Sequence, residues 1–290
     1  MFRVGIIGAT GMVGQRYITL LQGHPWFKVT CVAASAQSAG VSYGQSVKNR
    51  WQMSEPIPKA VSDLTVIDAN DIDQIAHSCD FVFCAVEMPD KEKVRQLEES
   101  LAAAGLPVIS SASAHRWTED VPMLLPEINS GHTKMIDTQR KKRGWSKGFI
   151  AVKPNCSIQS FLTPIYALRQ AGYDIDRLSV VTMQAISGAG YPGVASLDMI
   201  DNIVPFIGGE EEKTEKEPLK ILGEVKKGKF VLADDVTITA QCNRVPVNDG
   251  HTACVSFSFK KKKPTKEKIL SIWQSFKGEP QKLNLPTAPK

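Results

Sequence analysis

The chain has 290 residues, 42 % of them hydrophobic and 22 % charged, so it can bury a substantial core and is not compositionally disordered. No apolar run approaches the roughly 18 residues that cross a bilayer, which excludes a membrane-spanning helix. The surplus of 35 basic over 30 acidic residues, net +5, is too small to mark a nucleic-acid-binding protein.

At roughly 150 residues per domain the length suggests about two domains. The six cysteines, at 31, 79, 84, 156, 242 and 254, include no C-x-x-C pair. The five histidines make no metal-spaced cluster. We therefore expect free thiols in a reducing compartment and no metal site. Met1-Phe2-Arg3 passes straight into a strand-like run, so a cytoplasmic chain without a secretory leader is expected. The basic clusters at 140–143 and 260–263 lack interleaved aromatics and read as solvated faces.

Val4-Gly5-Ile6-Ile7 reads as a buried strand and runs into Gly8-Ala9-Thr10-Gly11-Met12-Val13-Gly14. Val13, Tyr17, Leu20 and Leu21 then recur at the spacing of one helix face, which stops at Gly23-His24-Pro25. Residues 27–33 form a second strand. This is a β-α-β unit with a glycine-rich first turn, the arrangement that cradles a dinucleotide diphosphate. Gly8 permits a tight bend, Gly11 lets a phosphate approach the backbone, and Gly14 lets the helix pack close to the strand. After the second strand come Ala34, Ser35, Gln37 and Ser38, without a carboxylate to repel a 2′-phosphate. Ser35 and Ser38 can donate hydrogen bonds to one, which favours NADP over NAD. No arginine lies in this loop.

Strands at 80–85 and 106–111 flank a helix at 91–104 that ends at Gly105. This alternation predicts a Rossmann-type, doubly wound parallel α/β sheet. Cys84 and Ser111, just after two of its strands, are candidate walls of the cofactor crevice. A strand at 149–152 then leads through Lys153-Pro154-Asn155-Cys156-Ser157 into a helix whose apolar face is Ile158, Phe161, Leu162, Ile165 and Leu168, with Pro164 inside it. Cys156 is thereby expected at the first turn of a helix, where free N–H groups favour a thiolate. The other five cysteines read as small buried hydrophobes.

Lys153-Pro154-Asn155-Cys156-Ser157-Ile158-Gln159 resembles the active-site segment of aspartate-semialdehyde dehydrogenases, particularly their archaeal and fungal branch. So do the segments at 184–193 and 202–213, and Asn243-Arg244-Val245-Pro246-Val247 with His251. The resemblance covers essentially the whole chain, in order. It implies an NADP-binding Rossmann-type domain at 1–154 and an α+β substrate and dimerisation domain at 155–290. The implied activity is NADP-dependent reversible reductive dephosphorylation of aspartyl phosphate, in threonine, methionine and lysine biosynthesis. Cys156 would be the nucleophile, His251 the acid/base, and Gln184 an orienting group. Arg244 would hold the substrate carboxylate and Glu210 its ammonium, with Asn155, Lys213 and Arg116 around the phosphate. The cofactor site would comprise Gly8, Thr10, Gly11, Met12, Val13, Ser35, Ser38, Cys84, Ser111, Ser187 and Gly188. A homodimer or homotetramer is implied.

Four expectations stay open. The charged stretch 210–220 also reads as a solvated segment, and Arg116 as a surface arginine. Asn248-Asp249-Gly250 predicts a tight hairpin pairing Val247 with His251, which would put Arg244 on the opposite face from His251 unless a wider loop or a bulge at Pro246 intervenes. Finally, the chain stops at Pro286-Thr287-Ala288-Pro289-Lys290, short of the closing segment usual in that family, which suggests truncation. The alternatives are an acyl-CoA reductase of the malonyl-CoA type and a silent nucleotide-binding module.

Overall fold

The computed structural model describes residues 1–288, so the last two residues of that C-terminal stretch, Pro289 and Lys290, lie outside the described residues. The chain divides into two compact units, Met1–Pro122 with Lys134–Lys153, and Met123–Thr133 with Pro154–Lys290.

The first unit is built on a six-stranded parallel sheet. Its strands are β1 (Phe2–Ile7), β2 (Phe27–Ala34), β3 (Val66–Asp68), β4 (Phe81–Cys84), β5 (Pro107–Ser110) and β6 (Phe149–Val152), in the order β3-β2-β1-β4-β5-β6. The chain winds outward from β1 to β3, then returns to β4 on the other side of β1. That reversal places the loops after β1 and β4 side by side, the usual crevice for a ligand in such a sheet. The doubly wound expectation holds. Val4, Ile6 and Ile7 in β1 are fully buried, as strands covered on both faces should be.

The helix after β1, Met12–Leu20, buries Gly14, Gln15 and Ile18. The face expected from Val13, Tyr17, Leu20 and Leu21 is wrong in part: Val13 is 48 % and Leu20 67 % exposed. The reason is Gly14. A Cβ there would lie 2.4 Å from the Gly8 carbonyl oxygen, so the glycine edge, not the valine edge, sits on the sheet. The helix Lys91–Ala103 has its N-terminus capped by the Asp90 side chain and buries Val94, Leu97, Glu98, Leu101 and Ala102. The basic cluster at 140–143 is not a plain solvated face either. Arg143 makes a two-pronged pair with Asp120 at 2.6 and 2.9 Å and reaches Glu99 at 2.7 Å.

The second unit contains β7 (Ile175–Gln184), the short pair β8 (Glu224–Lys226) and β9 (Lys229–Val231), then β10 (Thr237–Arg244) and β11 (His251–Phe259). The larger sheet has the order β10-β7-β11, with β10 parallel and β11 antiparallel to β7. The expected hairpin does not form. Residues 245–250 bridge the end of β7 instead, and β7 separates the two strands. A local turn signal identifies a bend, not the strand that will fill the space beyond it. The helix Ile158–Gln170 buries Ile158, Phe161, Leu162, Ile165 and Leu168 as its spacing predicts, and continues through Pro164.

One face of this sheet, carrying Leu178, Val180, Thr182 and Gln184 of β7, is buried. The other carries the outward residues of β11, which is why Cys254 is exposed rather than buried as expected; Cys31, Cys79, Cys84 and Cys242 are buried. No helix among the described residues is long and apolar enough to cross a membrane.

Candidate active site

In the first unit, Gly8 has φ +80°, and a Cβ there would lie 2.9 Å from the Ala85 carbonyl carbon and oxygen. The close approach of the β1 and β4 loops therefore requires glycine. Gly11 differs: a Cβ would meet only the Gly8 oxygen, at an ordinary 3.5 Å. Nothing inside the protein demands glycine there, whereas a diphosphate lying on the loop would. Gly11 is also the N-cap of the helix and supplies no side-chain cap, so the N–H groups that follow, at Met12 and Val13, have no acceptor within the helix. Thr10 contributes its carbonyl to Gln15 Nε2 at 2.9 Å, which ties the loop to its helix. These residues fit a dinucleotide.

Ser35 is exposed and precedes a single turn of 3-10 helix; Ser38 within that turn is buried. Ser38 Oγ accepts a hydrogen bond from Arg50 Nη2 at 3.3 Å. Ser111 shares a 2.7 Å hydrogen bond with Tyr17 Oη, and its carbonyl receives Arg116 Nη2 at 3.4 Å. Arg116 is 6 % exposed, so the surface-arginine reading fails. Cys84 does not offer its thiol as a crevice wall. The side chain is wholly buried, and burial beside Glu98 pushes its pKa well up.

In the second unit, Cys156 lies in the turn just ahead of the helix, whose N-cap is Ser157, rather than in its first turn. Its thiol is exposed, and Sγ lies 3.2 Å from His251 Nε2. The other ring nitrogen, Nδ1, accepts the Ala185 N–H at 3.0 Å. That backbone donor selects the tautomer with its proton on Nε2, facing the sulfur. The hydrogen bond with Cys156 raises the His251 pKa, against burial and the Arg244 charge, which lower it.

Gln184 is the register partner of Arg244 on one side and of His251 on the other. Residues directly opposite one another in a sheet point to the same face, so all three side chains do. The conflict raised by a hairpin disappears. Arg244 is 6 % exposed and donates from Nη1 to the Ala185 carbonyl at 2.7 Å. Among the described residues no carboxylate pairs with it, which is unusual for a buried guanidinium. Gly188 covers the pair: a Cβ there would lie 2.8 Å from Arg244 Nη1 and 3.0 Å from His251 Cε1. Ser187 donates its N–H to the Asn248 carbonyl at 3.1 Å, holding this cover to the loop before β11.

Glu210 gathers three donors. Asn155 Nδ2 and Gln184 Nε2 reach Oε2 at 2.7 and 3.2 Å, and Lys213 Nζ reaches Oε1 at 2.8 Å. Burial opposes its ionisation, but these donors outweigh burial and leave its pKa below the usual value. The stretch 210–220 is thus not a solvated segment. It belongs to the helix Glu210–Leu222, which buries Thr214, Glu217, Pro218, Lys220 and Ile221.

Cys156, His251, Gln184, Arg244, Glu210, Lys213 and Asn155 therefore meet within one unit, around an exposed thiol. The families described as semialdehyde dehydrogenase, NAD binding domain, and semialdehyde dehydrogenase, dimerisation domain, match residues 3–136 and 165–287. Aspartate-semialdehyde dehydrogenase from Schizosaccharomyces pombe is 45 % identical over 290 residues, 99 % of this chain and 79 % of that protein. The enzyme of the same name from Archaeoglobus fulgidus is 42 % identical over 291 residues, 100 % of this chain and 79 % of that one. The chain belongs to the aspartate-semialdehyde dehydrogenase family. A crystal structure of the Candida albicans aspartate-semialdehyde dehydrogenase with NADP superposes at a TM-score of 0.87 and 35 % identity, covering 100 % of this chain and 84 % of that one.

Two residues, one in each unit, escaped the sequence reading. Arg50 lies 12 residues beyond Ser38, outside the loop searched, and reaches it because residues 43–46 form a helical turn that swings the chain back. Glu217 was lost in a charge run. The positions 210, 214, 217 and 221 recur at helical spacing, and that periodicity was the signal available.

Proposed function

We propose that this dehydrogenase reduces L-4-aspartyl phosphate reversibly to L-aspartate 4-semialdehyde, with NADP as cofactor and a thioester on Cys156. The observation that carries the reading is the exposed Cys156 sulfur 3.2 Å from His251 Nε2, beside a buried Arg244 without a carboxylate partner among the described residues. Support for NADP comes from the glycine loop, from Ser38 with Arg50 beside it, and from the NADP complex of the Candida albicans relative.

The Cys156 thiolate attacks the acyl carbon of aspartyl phosphate. The carbon–sulfur bond forms, the carbon–oxygen bond to phosphate breaks, and phosphate departs with a proton. A thioester is close to an acyl phosphate in reactivity, so the exchange is reversible, which an oxygen ester would not allow. NADPH, when bound, supplies the hydride. The resulting hemithioacetal expels the Cys156 thiolate and leaves the aldehyde. His251 holds a proton at Nε2 where the reacting oxygen gains or loses one. Arg244 grips the α-carboxylate through two parallel N–H groups. Glu210 takes the α-ammonium on the acceptor capacity its three donors leave, Gln184 orients the acyl group, and Asn155 and Lys213 bind phosphate. Arg116 belongs to the first unit, and its part in phosphate binding rests on resemblance.

The domain assignment that goes with this reading is an NADP-binding part at 1–154 and a substrate and dimerisation part at 155–290. Assembly as a homodimer or homotetramer is supported by the match to a dimerisation-domain family. Free thiols fit a reducing, cytoplasmic setting.

The test is NADP reduction by aspartate semialdehyde with this 290-residue chain. Phosphate-dependent reduction is expected, with Cys156→Ser binding NADP normally but turning over slower by orders of magnitude. A requirement for CoA in place of phosphate would make the protein an acyl-CoA reductase. NADP binding without either reaction would make it a silent module.

A further inference from the structure

The backbone N–H of Asn155, the residue before the nucleophile, donates to Glu217 Oε2 at 2.6 Å. Glu217 is 1 % exposed and stands two helical turns beyond Glu210, on the same face of the helix Glu210–Leu222. Glu210 receives the Asn155 side-chain amide at 2.7 Å. One helix therefore grips Asn155 at its backbone and at its side chain. The remaining Asn155 atom, Oδ1, accepts the Ser157 N–H at 2.9 Å and lies 4.0 Å from Cys156 Sγ. Cys156 is thus flanked by two residues whose amides are both fixed, while its own side chain is exposed.

A buried carboxylate is costly unless its hydrogen bonds are made. Here Oε2 accepts the main-chain N–H of the residue before the reactive sulfur. A charge-assisted bond of this kind is shorter and stronger than a neutral one, and it stops rotation of the Pro154–Asn155 peptide that leads into Cys156.

We propose that Glu217 is a positioning residue for the nucleophile. It locks the Pro154–Asn155 peptide, one residue ahead of the nucleophile, to the helix that also carries Glu210 and Lys213, so that thiolate and substrate-holding groups keep one geometry. The proposal rests on Cys156 being the nucleophile.

The test follows iodoacetamide labelling of Cys156 against pH, read by peptide mass spectrometry because Cys254 is exposed too, together with kcat and KM. In Glu217→Gln the amide oxygen can still accept the N–H, so labelling and kcat should stay within about threefold of wild type. Glu217→Asp keeps the charge but withdraws the oxygen by one carbon. Glu217→Ala removes the acceptor altogether. Both should slow Cys156 labelling and lower kcat about tenfold or more, while KM for aspartate semialdehyde and NADP binding change little. Wild-type labelling and kcat in the Asp variant, or a Gln variant as impaired as Ala, would overturn the proposal. So would loss of thermal stability in all three with an unchanged labelling profile. If Glu217→Ala does not fold, the Asp and Gln pair still decides. Failure of the underlying reading looks different: Cys156→Ser would then keep ordinary turnover.

Discussion

Arg244 and His251 stand on opposite sides of Gln184, each its register partner, and their side chains converge beneath Gly188. A parallel neighbour and an antiparallel neighbour both end at the same residue of β7. That coincidence of strand ends puts a guanidinium and an imidazole on one face within reach of one small substrate.

Gly188→Ala should disturb both groups without disturbing the fold. The added methyl would lie 2.8 Å from Arg244 Nη1 and 3.0 Å from His251 Cε1, and the backbone at 188 does not require a positive φ. We expect kcat/KM to fall at least tenfold with Tm within a few degrees of wild type. Unchanged kinetics would mean that neither group takes part in the reaction.

Replacing Arg244 with lysine keeps the charge and removes the planar fork. The loss of one charge-assisted hydrogen bond, worth roughly 1.5–3 kcal/mol, should raise KM for aspartate semialdehyde about tenfold or more. A KM equal to that of wild type would contradict the carboxylate role.

Arg50 and Ser38 together form a polar pair that sequence inspection of the loop alone does not supply. Arg50→Ala should weaken NADP binding about tenfold, the scale of one charge-assisted hydrogen bond, and leave NAD binding as it was. Titration calorimetry with the two dinucleotides separates the effects. Equal weakening for both would show that Arg50 acts on the fold and not on the 2′-phosphate.

Glu98, fully buried, gives a pH dependence of stability. Burial holds its pKa at about 7 against an ordinary 4.5, although hydrogen bonds from Ser110 and Cys84 pull the other way. Between these values the folded protein keeps a proton that the unfolded chain has released, so stability must fall as pH rises through the window, by up to roughly 3 kcal/mol. His115, whose pKa burial lowers, acts in the opposite sense below its ordinary value of 6.5. Glu98→Gln should therefore gain on wild type as pH goes from 5 to 8 in thermal melts. Parallel Tm curves for the two proteins would refute this.

The local signals of the chain were sufficient wherever one stretch of residues carried the whole pattern. The glycine loop with its flanking strand and helix, the strand at 149–152, and the apolar face beginning at Ile158 are all properties of backbone conformation and period. Helix and strand periods report which side chains share a face, so these elements could be read directly, apart from the face of the first helix, which the contact at Gly14 decided. The resemblance carried by the Asn155-Cys156 segment supplied the chemistry, again from contiguous residues.

Only the tertiary structure decided which strand lies beside which. The turn at Asn248-Asp249-Gly250 looks like a hairpin, but β7 comes between its two arms, and that placement depends on residues more than 60 positions away. The same holds for Glu217 at Asn155, 62 residues apart, while Arg50 reaches Ser38 over only 12 residues because the chain between them turns back. Both are pairings of polar groups that no helix or strand period encodes. The elements followed from sequence because steric preference acts on neighbours; the site followed from packing because it is made where distant elements end.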